Sequence, residues 1–136
     1  MKISISHGNS KMGAIPSVSL PPVVTCPTDA PCARKCYAAK IARLRPAVRE
    51  AYANNWRIFQ ESPAEYFRQV RGAVMLSTFF RFHVSGDFPT FEYLREVVKI
   101  ARENPHCQIL AFTKRYTWVN NLADLGEVFP DNLRLI

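Results

Sequence analysis

Three of the four cysteines in this 136-residue chain fall within eleven residues, as Cys26, Cys32 and Cys36 in a Cys-x5-Cys-x3-Cys pattern. Pro31 suits a first helical position, and Thr28 and Asp29 stand where they could cap a helix. The spacing predicts a helix over about residues 32–43, with Cys32 and Cys36 four apart on one face and Cys26 approaching from the preceding loop. Thiolates near a helix N-terminus are stabilised by its unpaired N–H groups and dipole, and together they can hold a cationic centre. Structural zinc takes four protein ligands, whereas a [4Fe–4S] cluster held by three cysteines keeps one iron open to a substrate or cofactor. The trio points to such a cluster; zinc is the alternative, which a fourth ligand such as His7 or Cys107 would favour. Ordinary buried thiols are the plainer reading, and an odd number of them cannot pair fully into disulfides.

The elements that must position these residues follow from pattern. Ile3 and Ile5 alternate with Lys2, Ser4 and Ser6, the period of a half-buried strand. Residues 7–22, rich in Gly, Ser, Asn and Pro, predict turns and then extended chain, and 23–25 a short strand delivering Cys26. Pro46 opens a helix over about 47–60, and Ser62, Pro63 and Glu65 open another that carries Tyr66, Phe67 and Val70. From 78 onward strands over 79–84, 107–112 and 132–136 alternate with helices over 91–103 and about 117–125. This order predicts one α/β domain over 1–136, with the cysteine loop and helices in 1–77 and a βαβαβ segment in 78–136. Its architecture is expected to be a partial (βα) barrel or an open parallel sheet with flanking helices. A last strand without its crossover helix suggests a truncated form of a longer design, or an edge covered by homo-oligomerisation.

Sites in parallel sheets form at the carboxyl ends of strands. There the sequence places His83, Ser85, Gly86 and Asp87 after one strand and Lys114 and Arg115 after the next, converging on the cysteine loop. Alternation sets Arg81, His83 and Ser85 opposite Phe80, Phe82 and Val84, which predicts a polar lumen; a structural core histidine is the competing reading of His83. Asp87 suits either a cofactor contact or a helix cap, and Lys114 and Arg115 suit a carboxylate or phosphate or are bare loop charges. Cys107 opens its strand at the far end of the sheet and is expected not to be a ligand.

Hydrophobic residues make up 48% of the chain, enough for a core, and the formal charge is +7. Arg34, Lys35, Lys40, Arg43, Arg45, Arg49 and Arg57 concentrate that charge within 34–57, opposed there only by Glu50. The block suits nucleic acid or another polyanion, or is a solvated helical face. No apolar run approaches the roughly 20 residues of a membrane span, and the N-terminus lacks the apolar segment of a signal peptide. A cytoplasmic location is expected, where a reducing environment keeps the thiols free.

Four stretches together resemble the phage-associated gene product 88 family: residues 10–21, the Cys-x5-Cys-x3-Cys-Tyr-Ala stretch, residues 81–88 (Arg-Phe-His-Val-Ser-Gly-Asp-Phe) and 111–116 (Ala-Phe-Thr-Lys-Arg-Tyr). That likeness covers nearly the whole chain and implies a phage protein acting in the host cytoplasm. A more distant resemblance is to radical S-adenosylmethionine enzymes, whose partial barrels hold a [4Fe–4S] cluster on three cysteines in the first βα loop. The resemblance implies cluster ligands at Cys26, Cys32 and Cys36, with Tyr37 as the aromatic that follows, and Gly86 and Asp87 as the segment contacting the methionyl amine. It further implies reductive cleavage of S-adenosylmethionine to a radical that abstracts hydrogen from an unidentified substrate. The spacing departs from the usual Cys-x3-Cys-x2-Cys. A non-enzymatic module, stabilised by zinc or a cluster and binding nucleic acid through residues 34–57, is the alternative.

Overall fold

A computed structural model describes all of residues 1–136. Five strands form one open sheet in the order β1 (Ile5–Ser6), β2 (Ser17–Val18), β3 (Phe79–Phe82), β4 (Gln108–Ala111) and β5 (Leu133–Leu135). β1 runs antiparallel to β2, and the other neighbours are parallel. The helices are α1 (Tyr37–Leu44), α2 (Pro46–Glu61) and α3 (Pro63–Met75) between β2 and β3, α4 (Phe91–Glu103) between β3 and β4, and α5 (Tyr116–Asp124) between β4 and β5.

Parallel strands laid side by side in chain order, joined by right-handed crossovers, send their helices to one face. That face holds Val18, Phe80, Phe82, Ile109 and Ala111, all fully buried. The register sets Val18 beside Phe82, Phe82 beside Ala111 and Phe80 beside Ile109. They join Ile58 of α2, Tyr66, Phe67 and Val70 of α3, and Leu94 and Val97 of α4 in a single core. The alternate positions lie on the other face, where Ser17, beside Arg81, is buried, and Phe79, Arg81, Gln108, Leu110 and Arg134 are not. Prolines 46 and 63 begin α2 and α3, where a missing N–H costs nothing. Ser62 Oγ accepts from Glu65 N at 3.4 Å, and Thr90 Oγ1 accepts from Tyr93 N at 3.1 Å to cap α3 and α4.

Three sequence expectations change. The first parallel strand is Ser17–Val18, within the stretch read as extended chain, and 23–25 is a turn in which Val23 has φ 70°. Pro21 and Pro22 carry no N–H and cannot extend a ladder toward Cys26. The helix expected from 32 is instead a 3-10 turn, Ala33–Lys35, followed by α1 with Cys36 as its N-cap; Cys36 Sγ accepts from Ala39 N at 3.4 Å. A helix begun at 32 would set Arg34 and Lys35 against the positive end of its own dipole, and the break avoids this. Cys32 and Cys36 therefore do not share a helical face.

His83 is the third. Its φ of 64° breaks the strand alternation and turns the ring away from the open face into the helix layer. There Nε2 lies 2.9 Å from the Tyr93 hydroxyl, itself 2.6 Å from the Tyr66 hydroxyl, and all three side chains are buried. Nδ1 has no partner. Burial, aided by the Arg81 charge, lowers the His83 pKa to about 3. The unfolded chain takes up a proton near pH 6.5 that the native state refuses until about pH 3, so this group makes stability fall as pH drops through that window. His83→Asn tolerates the left-handed backbone and does not titrate. Urea denaturation at a series of pH values should show a slope flatter by up to about 1.4 kcal/mol per pH unit in the variant between those limits.

Candidate functional site

The carboxyl ends of β2, β3 and β4 meet in a knot built on Asp87, which is buried. Asp87 Oδ1 accepts from Phe88 N at 2.7 Å and from Thr113 Oγ1 at 2.7 Å, and Oδ2 accepts from Lys114 N at 2.7 Å. On the other side Asp87 N donates to Thr25 Oγ1 at 3.2 Å, and that hydroxyl donates to Pro21 O at 2.7 Å. Arg115 closes the ring: Nε donates to Phe88 O and Nη2 to Thr25 O, each at 3.0 Å, while the guanidinium lies 4.3 Å from the Trp118 ring centroid. Ser19 Oγ accepts from Val84 N and Ser85 N. Gly86 has φ 84°, and a Cβ there would come within 2.6 Å of Thr25 Oγ1 and 2.8 Å of Leu20 O. Only glycine lets the β3 loop lie so close to the segment leading into the cysteines.

The cysteine loop hangs from this knot through Thr25. Cys26 is half-buried, Cys36 partly buried, Cys32 exposed, and none is in a disulfide. Burial raises the Cys26 pKa, and the negative charges of Asp87, Cys36 and Cys32 add to the rise, against a backbone hydrogen bond with Val23 that lowers it. The thiol is thus protonated at neutral pH, contrary to the thiolate that a helix N-terminus would favour. No group of three or more His, Cys, Asp or Glu is arranged to hold a metal ion. Cys107 is buried before β4, and burial raises its pKa to about 11.

Of the residues singled out from the sequence, Gly86, Asp87, Arg115 and the backbone of Lys114 come together at the rim beside Cys26. Asp87 and Arg115 are spent on internal hydrogen bonds there, whereas the Lys114 side chain is free to meet an anion, 5.9 Å from the Tyr116 ring centroid. His83 lies in the core below. Ser85 is buried, and its Oγ faces the Tyr52 phenol without a hydrogen bond of good geometry. Thr113 falls at the strand end with Lys114 and Arg115, as its place in the sequence predicts, whereas Thr25 was not anticipated; its only signal was position, one residue before Cys26. A cleft of about 580 Å³ opens between the β1–β2 hairpin and α1–α2, lined by Ser6, Lys11, Tyr37, Arg45 and Tyr52 among others and by no carboxylate.

The family model of gene product 88 matches residues 3–136. The chain belongs to the gene product 88 family. This member is 30% identical to the Gene 88 protein of Mycobacterium phage L5 and 26% identical to that of Mycobacterium phage D29, each match covering 93% of this chain. The chain spans 62% of the length of those two relatives. No solved structure matches it. No helix is long and apolar enough to cross a membrane.

The knot makes a sharp stability prediction. Gly86→Ala adds a left-handed backbone penalty and a clash with backbone, together about 2–4 kcal/mol. Chemical denaturation should register that loss, while Gly126→Ala, which meets nothing within 4 Å, pays only its positive φ.

Proposed function

We propose that this protein carries an iron–sulfur cluster on Cys26, Cys32 and Cys36, in an arrangement related to radical S-adenosylmethionine enzymes. The observation that carries the reading is positional: the trio occupies the loop leaving the first of four sequential parallel strands, and Thr25, the residue before Cys26, is bonded to Asp87 in the loop leaving the second. Burial, with smaller contributions from Asp87, Cys36 and Cys32, raises the Cys26 pKa, and a cationic centre would offset that cost by binding the thiolate. Cys26, Cys32 and Cys36 would be the three ligands of such a cluster, which needs no fourth protein ligand. A reducing host cytoplasm would keep the thiols available.

Once bound, such a cluster supplies one-electron reduction to a ligand at its open iron. The chain's own residues would do the positioning. Thr25, held by Asp87 N and Pro21 O, fixes where the loop leaves the rim. Lys114 offers an ammonium to a carboxylate or phosphate. Asp87 is better suited to bracing the two loops than to holding a substrate amine, since its carboxylate already accepts three hydrogen bonds.

Purification without air should yield a brown protein with about four iron and four sulfide per chain. Cys26→Ala, Cys32→Ala and Cys36→Ala should each abolish the colour, and Cys107→Ala should keep it. A colourless, iron-free parent protein would end this reading, and S-adenosylmethionine turnover under dithionite tests the finer part.

A second reading, nucleic-acid binding through residues 34–57, is favoured by the distribution of ion pairs. The five salt bridges involve Arg57, Arg68, Arg71 and Arg102, and none involves Arg34, Lys35, Lys40, Arg43, Arg45 or Arg49. Binding to duplex DNA should weaken steeply with salt, and each of Arg43→Ala and Arg49→Ala should lower the slope of log K against log salt by about 1.

A further inference from the structure

We propose that the uncovered face of the sheet binds single-stranded nucleic acid, stacking bases on Phe79 and Phe112 and meeting phosphates with Arg81 and Arg134. The helices that build the core, α2 to α5, pack on the opposite face, yet this one carries large aromatic side chains on β3 and β4 at 53% and 45% exposure for Phe79 and Phe112. Exposed rings on neighbouring strands are an unfavourable use of apolar surface unless something flat covers them. Phe79 stands beside Gln108 at the start of β4 and Phe112 just past its end, about 14 Å apart by strand geometry, the reach of a few nucleotides.

Neither cation on this face is paired with a carboxylate, and Arg134 Nη1 donates to Asp131 O. In register, Arg81 adjoins Leu110, which adjoins Arg134, so two guanidinium groups flank the stretch between the rings. Arg81 sits 5.0 Å from the Phe112 ring centroid, its Nη1 contacts Met12 Sδ at 3.8 Å, and its buried Nε has no partner. No strand position on this face is acidic; the carboxylates that pair with arginine lie on or beside the helices, as Glu61, Glu65, Glu96, Glu103 and Glu127. A positive face with stacking rings and no carboxylate on its strands is complementary to a flexible polyanion whose bases are unpaired. A second copy of the chain would set Arg81 and Arg134 against their own equivalents, and a duplex would offer no exposed base faces. The inference needs neither the cluster nor the basic block of residues 34–57.

The test is fluorescence anisotropy of a labelled oligothymidylate with the full chain, alongside a duplex of equal length and sedimentation of the protein alone. The single strand should bind, and Phe79→Ala and Phe112→Ala should each weaken it about tenfold, within the range that loss of one stacked base produces. Phe79→Trp and Phe112→Trp should retain binding, which separates stacking from damage to the fold, and duplex binding should not change in any of the four. Absence of single-strand binding, equal binding by the alanine variants, or a dimer that those substitutions merely dissociate would each overturn the proposal. Iron content should be the same in all variants, so the outcome does not depend on that of the cluster analysis.

Discussion

One buried carboxylate holds the strand-end rim together. Asp87 binds its own loop at Phe88 and the next loop at Thr113 and Lys114, while its amide holds the hydroxyl of Thr25. Hydrogen bonds to a charged acceptor contribute about 1.5–3 kcal/mol each, more than neutral ones, because the ionised oxygen is the stronger acceptor. Without that group, three donors would be left in a place water reaches poorly. Arg115 completes the arrangement by bridging two backbone carbonyls, so the rim is stiff where the cysteine loop begins.

Stiffness ends at Thr25. Beyond it the chain runs through a turn, a short 3-10 segment and an N-cap, and two of its three thiols are partly buried while the third faces water. The apolar anchors of the loop are the buried Pro27 and Ala30. Of the arginines and lysines that follow on α1 and α2, only Arg57 finds a carboxylate partner, Glu61.

The C-terminal half was readable residue by residue because its signals are local: Tyr93, Leu94, Val97 and Val98 repeat at helical spacing, and Phe80, Phe82, Ile109 and Ala111 alternate. β2 was not, since two residues between prolines carry no periodicity, and their place in the sheet is set by a partner far along the chain. Helix spacing suggested that Cys32 and Cys36 share a face; the two basic residues between them decide otherwise. Alternation gave the wrong face for His83 because one left-handed residue reverses the pattern. Asp87 was singled out correctly as a rim residue, but nothing in its neighbours distinguishes a brace from a ligand. The uncovered face of the sheet can be inferred only once all crossovers are known to lie on the same side.

The pairings that build the sheet differ greatly in span. Phe79 joins Gln108 and Ile109 joins Leu133, but Ser17 must find Arg81 across more than twice either distance along the chain. Each doubling of a closing loop costs only about 0.6 kcal/mol, a small equilibrium penalty, yet long-range parallel pairing slows folding. The β2–β3 pairing thus closes the longest loop in the sheet, and it is this pairing that sets the sulfur-bearing segment at the rim formed by β3 and β4.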